Sequence, residues 1–274
     1  MRAVLSNEKL NQVFFEKGYI QIEQFLAEDE VNHLRKVYEN NYQDNFDGFH
    51  ACMHSLDVEY RRTVHQEISK VFIQHSKSLL KDYKPIVGNF TVKESGENSF
   101  FDFHLDWNML DESSARSITI WVALEDTNAN NGNLWILEGS THMGPTWRCS
   151  PGLHLFAENT NSFLNFKGKR KVLPMKKGDA LIYDHKLFHG SPANLSDSPR
   201  LAINLAMIPA ELTSIHYHLA DNVINGHAVD DDFYCRCLTH HPMDMSEYPI
   251  VSSTPISSDP ILQDQVNALI TNYV

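Results

Sequence analysis

Two hydrophobic periods divide the chain. In the first 84 or so residues, apolar positions recur every three or four residues, the spacing of a helix face. Ser6 is placed to cap a helix carrying Leu10, Val13 and Phe14, with Gly18 to end it. "YIQIEQF" then alternates as a strand. A second helix carries Val31, Leu34, Val37 and Tyr38 along one stripe. A third, from about Arg61 to Tyr83, repeats Val64, Ile68, Val71, Phe72 and Leu79 at helical spacing.

From Pro85 onward the period changes to two. The candidate strands are "IVGNFTVKE", "FFDFHLDW", "SITIWVALED", "NLWILEG", "GDALIYDHK" and "RLAINLAMI", separated by turn-rich pieces such as "TNANNGN" and "GSPANLSDSP". Helices followed by a run of short strands predict a mainly β protein: a closed or sandwiched antiparallel sheet with flanking helices. The tail from about Glu211 reads as irregular until "DPILQDQVNALITNY", where Asp259 and Pro260 can open a final helix. No second domain is evident. The expectation is one domain over residues 1–274, with N-terminal helices to about 84, a β core over about 85–210, and a C-terminal lid and helix over about 211–274.

Composition narrows the function classes. Hydrophobic residues make up 42% of the 274, enough for a large core, and the formal charge of −12 argues against nucleic acid or an anionic membrane as partner. No signal-like N-terminus, no run of about 18 apolar residues, and four cysteines (Cys52, Cys149, Cys235, Cys237) without a framework pattern predict a soluble, cytoplasmic chain. A small-molecule substrate is the expected partner.

The candidate chemistry begins in "FFDFHLDW". In a strictly alternating strand, Phe101, Phe103 and Leu105 share one face, and Asp102, His104 and Asp106 share the other. The second feature is "LFHGSPANLSDSPRLAIN", with His189 at a strand end and Arg200 eleven positions on, opening the next strand. If those strands pair as antiparallel neighbours, His189 and Arg200 face one interior, and Asn204 shares the Arg200 face. His104, Asp106 and His189 compose the two-histidine, one-carboxylate set that holds non-haem Fe(II) on one octahedral face. The opposite face is left for a bidentate organic acid and dioxygen, and Arg200 supplies a fork for a distal carboxylate.

On these residues the chain resembles the phytanoyl-CoA dioxygenase-like branch of the Fe(II)/2-oxoglutarate oxygenases. The likeness covers most of residues 8 to 209, including "FFEKGYIQIEQFLAEDEVNHLRKVY", His104 and Asp106, "ITIWVALED", "NNGNLWILEGSTH" and "HGSPANLSDSPR". The resemblance implies a double-stranded β-helix (jelly-roll, cupin-like) core. It implies Fe(II) bound by His104, Asp106 and His189, with 2-oxoglutarate and dioxygen as co-substrates. Arg200 would clamp the distal carboxylate of 2-oxoglutarate, with Trp121, Ser191 and Lys93 near that co-substrate. "ILEGSTH" departs from the family, with Glu138 and one extra residue before His142. The carboxylate of Asp106 speaks against the related halogenases, which carry a small residue there. The implied reaction is hydroxylation of an unactivated C–H bond in a small or medium organic molecule, a tailoring step of specialised-metabolite biosynthesis. An acyl-CoA hydroxylase and a catalytically silent cupin-like binding protein are the alternatives.

Other clusters read more plainly. "CRCLTHH" (Cys235, Cys237, His240, His241) fits no common structural zinc spacing. "FHACMH" (His50, Cys52, His54) reads as structural, and "IHYHL" (His216, His218) as a pocket wall or surface pair. The stretch from Thr141 to Asn165 and that from Glu211 to Thr254 are expected to cover the barrel mouth. Trp147, His154, Phe156, His216, Tyr217 and Phe233 are the candidates there to touch substrate.

Overall fold

A computed structural model describes residues 1–41, 47–142, 147–150, 170–239 and 241–255, with the backbone of 153–154. The helix predicted near the C-terminus lies outside these residues, as does most of the Thr141–Asn165 stretch.

In chain order the elements are α1 (Glu8–Lys17), β1 (Tyr19–Ile22), α2 (Glu28–Asn41), β2 (Phe49–Ala51), α3 (Val58–Leu79), β3 (Tyr83–Lys93), β4 (Phe101–His104), β5 (Ile118–Ala123), β6 (Leu134–Ile136), β7 (Arg148–Cys149), β8 (Leu153–His154), β9 (Lys171–Leu173), β10 (Ala180–Asp184), β11 (His189–Ser191), β12 (Arg200–Pro209), β13 (Ser214–Ala220), β14 (Val223–Val229) and β15 (Ile250–Pro255). The cap of α1 is Asn7 rather than Ser6: its side-chain oxygen accepts from the Leu10 N–H, and Gly18 ends the helix at φ 86°. The third helix stops at Leu79, short of the expected Tyr83, which instead opens β3.

Two antiparallel sheets make the jelly roll. The larger runs β1-β10-β5-β12-β3-β2 and the smaller β4-β11-β6-β9. On the larger sheet, the two-residue period separates two cores. Phe90, Val92, Ile118, Ile120, Val122, Leu201, Ile203 and Leu205 face outward and pack under the stripes of the three helices, including Phe14, Leu34, Val64, Ile68 and Phe72. Trp121, Ala123, Leu181, Tyr183 and Ala202 face inward and meet Leu134 and Ile136 of β6. Helices thus seal one face and the smaller sheet covers the other. The polar positions of the inner face have nowhere to go but the space between the sheets.

The tail expected to be irregular is instead a meander, β13-β14-β15, with a helical turn at Phe233–Arg236. Alternation in "SIHYHLA" and "VINGHAV" carried that signal. None of the described helices is long and apolar enough to cross a membrane.

β3 ends beside Arg200, to which Lys93 is the cross-strand partner. The Lys93 side chain is fully buried. It passes beneath Gly132, where an added Cβ would lie 2.6 Å from Lys93 Cδ, and its Nζ donates to the Ser99 carbonyl. Burial, with the Arg200 charge alongside, pushes its ammonium down to about 7 from 10.5. The unfolded chain keeps that proton to higher pH, so unfolding takes up a proton between these values and stability rises with pH across the window. Lys93→Met is expected to flatten this rise. Urea unfolding of both proteins between about pH 7 and about pH 10 checks it; parallel pH profiles would contradict it.

Candidate metal centre

β4 and β11 are antiparallel neighbours, and their register sets His104 opposite His189. The two imidazoles lie 4.1 Å apart between ring centroids. Asp106 follows two residues past the end of β4, and one donor atom from each of the three residues falls within 4.8 Å of the others. Among the described residues, no other group of three His, Cys, Asp or Glu side chains meets that condition.

Hydrogen bonds behind the ligands fix which atoms face inward. His104 Nδ1 is 2.9 Å from the Asp102 carbonyl, and His189 Nδ1 is 2.9 Å from the Leu187 carbonyl. A carbonyl only accepts, so each Nδ1 carries a proton and Nε2 is the ring nitrogen that would bind a metal; His189 Nε2 also lies 3.2 Å from the Tyr183 hydroxyl. Asp106 Oδ2 accepts from the Thr119 hydroxyl at 2.8 Å and the Tyr183 hydroxyl at 3.0 Å. Its Oδ1 lies 3.8 Å from His189 Nε2. Desolvation opposes ionisation of Asp106, but His189, His185, His104 and the Thr119 hydrogen bond outweigh it and hold the carboxyl well below its usual range. Burial pushes the His189 imidazolium down. Two imidazoles and one carboxylate are the donor chemistry of a divalent transition metal.

His104 and His189 line a cleft that is partly open to solvent. Phe101, His104, His189 and Ser191 of the smaller sheet line it together with Phe49, Thr91, Trp121, Tyr183, Arg200 and Asn204 of the larger sheet. Arg200 is 2% exposed, yet its Nε and Nη1 have no hydrogen-bond partner among the described residues. Asn204 Oδ1 and Thr91 Oγ1 are unpartnered too. The guanidinium is backed by the Trp121 ring, 5.6 Å from its centroid. Burial pushes Arg200 down to about 10, so it stays charged at neutral pH. A buried cation with two idle donors costs several kcal/mol unless an anion answers it, so the cleft fits a carboxylate at this end and a metal at the other.

The structure brings Trp121, Ser191, Arg200 and Asn204 to one cleft, and Lys93 is not among the residues that line it. Two expectations need correction. His189 and Arg200 are not on paired strands: β11 belongs to the smaller sheet and β12 to the larger, and they face each other across the cleft. Nor does "FFDFHLDW" alternate strictly. The register shifts between His189 and Ser191, a bulge that turns both Phe101 and His104 into the cleft while Asp102 is exposed.

Thr119, Tyr183 and His185 were missed. The first two share the inward parity of Trp121 and Leu181, so the period-two pattern held their signal; the turn at His185 gave none. Its Nε2 is 3.0 Å from Thr119 Oγ1 and its Nδ1 2.9 Å from the Trp107 carbonyl. The expected mouth residues whose side chains are described, Trp147, His216, Tyr217 and Phe233, are not at the cleft lining. Phe233 is core, Tyr217 packs with Trp147 and Cys149, and His216 is buried against Ser150. The side chains of His154 and Phe156 lie outside the described residues. His142 reaches the Glu16 carbonyl, away from the cleft.

Comparison with known proteins agrees with this geometry. The family model described as "Phytanoyl-CoA dioxygenase (PhyH)" matches residues 14–202. A zebrafish (Danio rerio) relative, phytanoyl-CoA dioxygenase domain-containing protein 1, is 25% identical over 221 residues, covering 77% of this chain and 69% of its own length. Among solved structures, the non-haem α-ketoglutarate-dependent carbocyclase SnoK from nogalamycin biosynthesis superposes with a TM-score of 0.55 at 19% identity, covering 90% of this chain and 96% of that one. HygX from Streptomyces hygroscopicus, solved with nickel and 2-oxoglutarate, gives 0.55 at 16% identity, covering 75% and 88%. With a jelly roll of the same kind and a family match that spans more than half its length, the chain belongs to the phytanoyl-CoA dioxygenase family.

Proposed function

We propose that the protein is an Fe(II)- and 2-oxoglutarate-dependent dioxygenase that hydroxylates a small or medium organic molecule in a biosynthetic tailoring step. The observation that carries this reading is the pairing of a His104–Asp106–His189 donor set with the unsatisfied Arg200 guanidinium in one cleft. Similar structures add support for the substrate class: HygX was solved with hygromycin B, and the epimerase SnoN with nogalamycin RO. A net charge of −12 offers no long-range attraction to a polyanionic CoA ester.

His104, His189 and Asp106 would hold the iron, and Arg200 the distal carboxylate of 2-oxoglutarate, with Asn204 and Thr91 as neighbouring polar groups. A metal held there would activate dioxygen, the oxidant, which takes two electrons from 2-oxoglutarate as it becomes succinate and carbon dioxide and two from the substrate C–H bond. The protein's share is orientation. Fork geometry at Arg200 fixes the co-substrate at its far end, and the Trp121 ring keeps that guanidinium from turning. Hydrogen bonds from Thr119 and Tyr183 to Asp106 Oδ2 leave Oδ1 as the atom presented to the metal. The Phe49 and Phe101 rings, stacked 4.1 Å apart beside His104, shield that edge from water. Asp106 itself fills the position that a halide would require.

With iron, ascorbate, 2-oxoglutarate and dioxygen, the protein is expected to form succinate. Asp106→Ala and His104→Ala should bring succinate down to the metal-only background while folding is kept. Background-level succinate from the native chain in the presence of its substrate, or undiminished succinate from either variant, would refute the assignment. Arg200→Met is expected to raise the half-saturating 2-oxoglutarate concentration by about 30-fold or more, the equivalent of losing roughly 2 kcal/mol from a buried charge-assisted pair. An unchanged half-saturation value would remove Arg200 from the co-substrate site.

A further inference from the structure

Arg148 is 1% exposed and plays no part in the site as described so far. Its Nε donates to the main-chain carbonyl of Asp106 at 2.6 Å. The two terminal nitrogens grip Glu112, with Nη1 2.9 Å from Oε2. Its own backbone N–H donates to Asn108 Oδ1 at 2.7 Å. One residue therefore spans the loop that carries Asp106 away from β4. The strand ladder ends at His104, so Asp106 has no cross-strand partner to fix its backbone.

The far side of the same segment is tied to the C-terminal meander. Ser150 N–H donates to the Tyr217 carbonyl at 2.9 Å, and Leu219 N–H to the Ser150 carbonyl at 2.8 Å. His216 Nε2 lies 2.9 Å from Ser150 Oγ. A continuous set of bonds thus runs from β13 through residues 148–150 to the carbonyl of Asp106.

We propose that Arg148 is a positioning residue for the metal-binding carboxylate: it clamps the Asp106 backbone, with Glu112 as its counter-charge, and so makes the C-terminal meander part of the support of the metal site. The side chain of Asp106 is aimed by Thr119 and Tyr183, but aiming a carboxylate from a mobile backbone would leave Oδ1 wandering relative to the two imidazoles. A clamp on the carbonyl removes that freedom. Outer partners of metal ligands commonly matter in this way.

The proposal rests on His104, Asp106 and His189 being the metal ligands, and the test separates the two. Co(II) is titrated into the full chain, reading both affinity and the visible ligand-field spectrum, which reports coordination geometry without turnover. The native chain should bind one Co(II) and His104→Ala should not; if the native chain binds none, both readings fall. Arg148→Met is expected to weaken Co(II) by about 10- to 100-fold and to alter the spectrum. Leu34→Ala is the control. It opens a cavity in the outer core under the helices, which holds neither Asp106 nor Glu112. It should lower thermal stability while Co(II) affinity and spectrum stay native. Native-like Co(II) binding by Arg148→Met, or an equal loss in Leu34→Ala, would overturn the positioning role and leave a structural ion pair. Should Arg148→Met fail to fold, Arg148→Lys replaces it: the cation is kept but cannot reach both Asp106 and Glu112, so weakened Co(II) is expected, and native binding would overturn the proposal.

Discussion

The structure turns on lone-pair bookkeeping at one point between two sheets. Three side chains, His104, His189 and Asp106, have their outward hydrogen-bonding capacity spent on protein groups: the Asp102 and Leu187 carbonyls behind the imidazoles, the Thr119 and Tyr183 hydroxyls on one carboxylate oxygen. One ligand atom from each of the three lies within 4.8 Å of the others. A donor set arranged this way repels itself electrostatically unless a cation sits among the lone pairs. The outer core under the helices and the inner core under the smaller sheet supply the rigidity that holds it there.

The opposite end of the cleft has the complementary problem. Arg200 is charged and buried, with Nε and Nη1 unpartnered among the described residues. A metal-seeking cluster and an anion-seeking guanidinium at two ends of one cavity define a ligand that is acidic at one end and chelating at the other. That is the shape of 2-oxoglutarate, and it is why the two features together say more than either alone.

Much of this was legible in the sequence because it depends on local spacing. His104 and Asp106 are two positions apart, and the change from helical to alternating period announced helices outside an antiparallel sheet. Arg200 and Asn204 share a face for the same reason. The errors arose where non-local geometry decides. A bulge in β4, visible only against its partner β11, put Phe101 in the cleft and Asp102 outside. His189 and Arg200, close in sequence, belong to facing sheets because the chain crosses over between them. Lys93 has the inward parity of Thr91, but the loop carrying Gly132 closes over it and draws its amine to Ser99. Arg148 is beyond any pattern: its partners are 36 and 42 positions away.

The most direct measurement of the central claim is an anaerobic titration of Fe(II) and 2-oxoglutarate into the protein, followed by the visible charge-transfer band of the chelate. The account predicts a band that saturates at one iron and one 2-oxoglutarate per chain and is lost in His189→Ala. No band in the native chain, or an unchanged band in that variant, would contradict it.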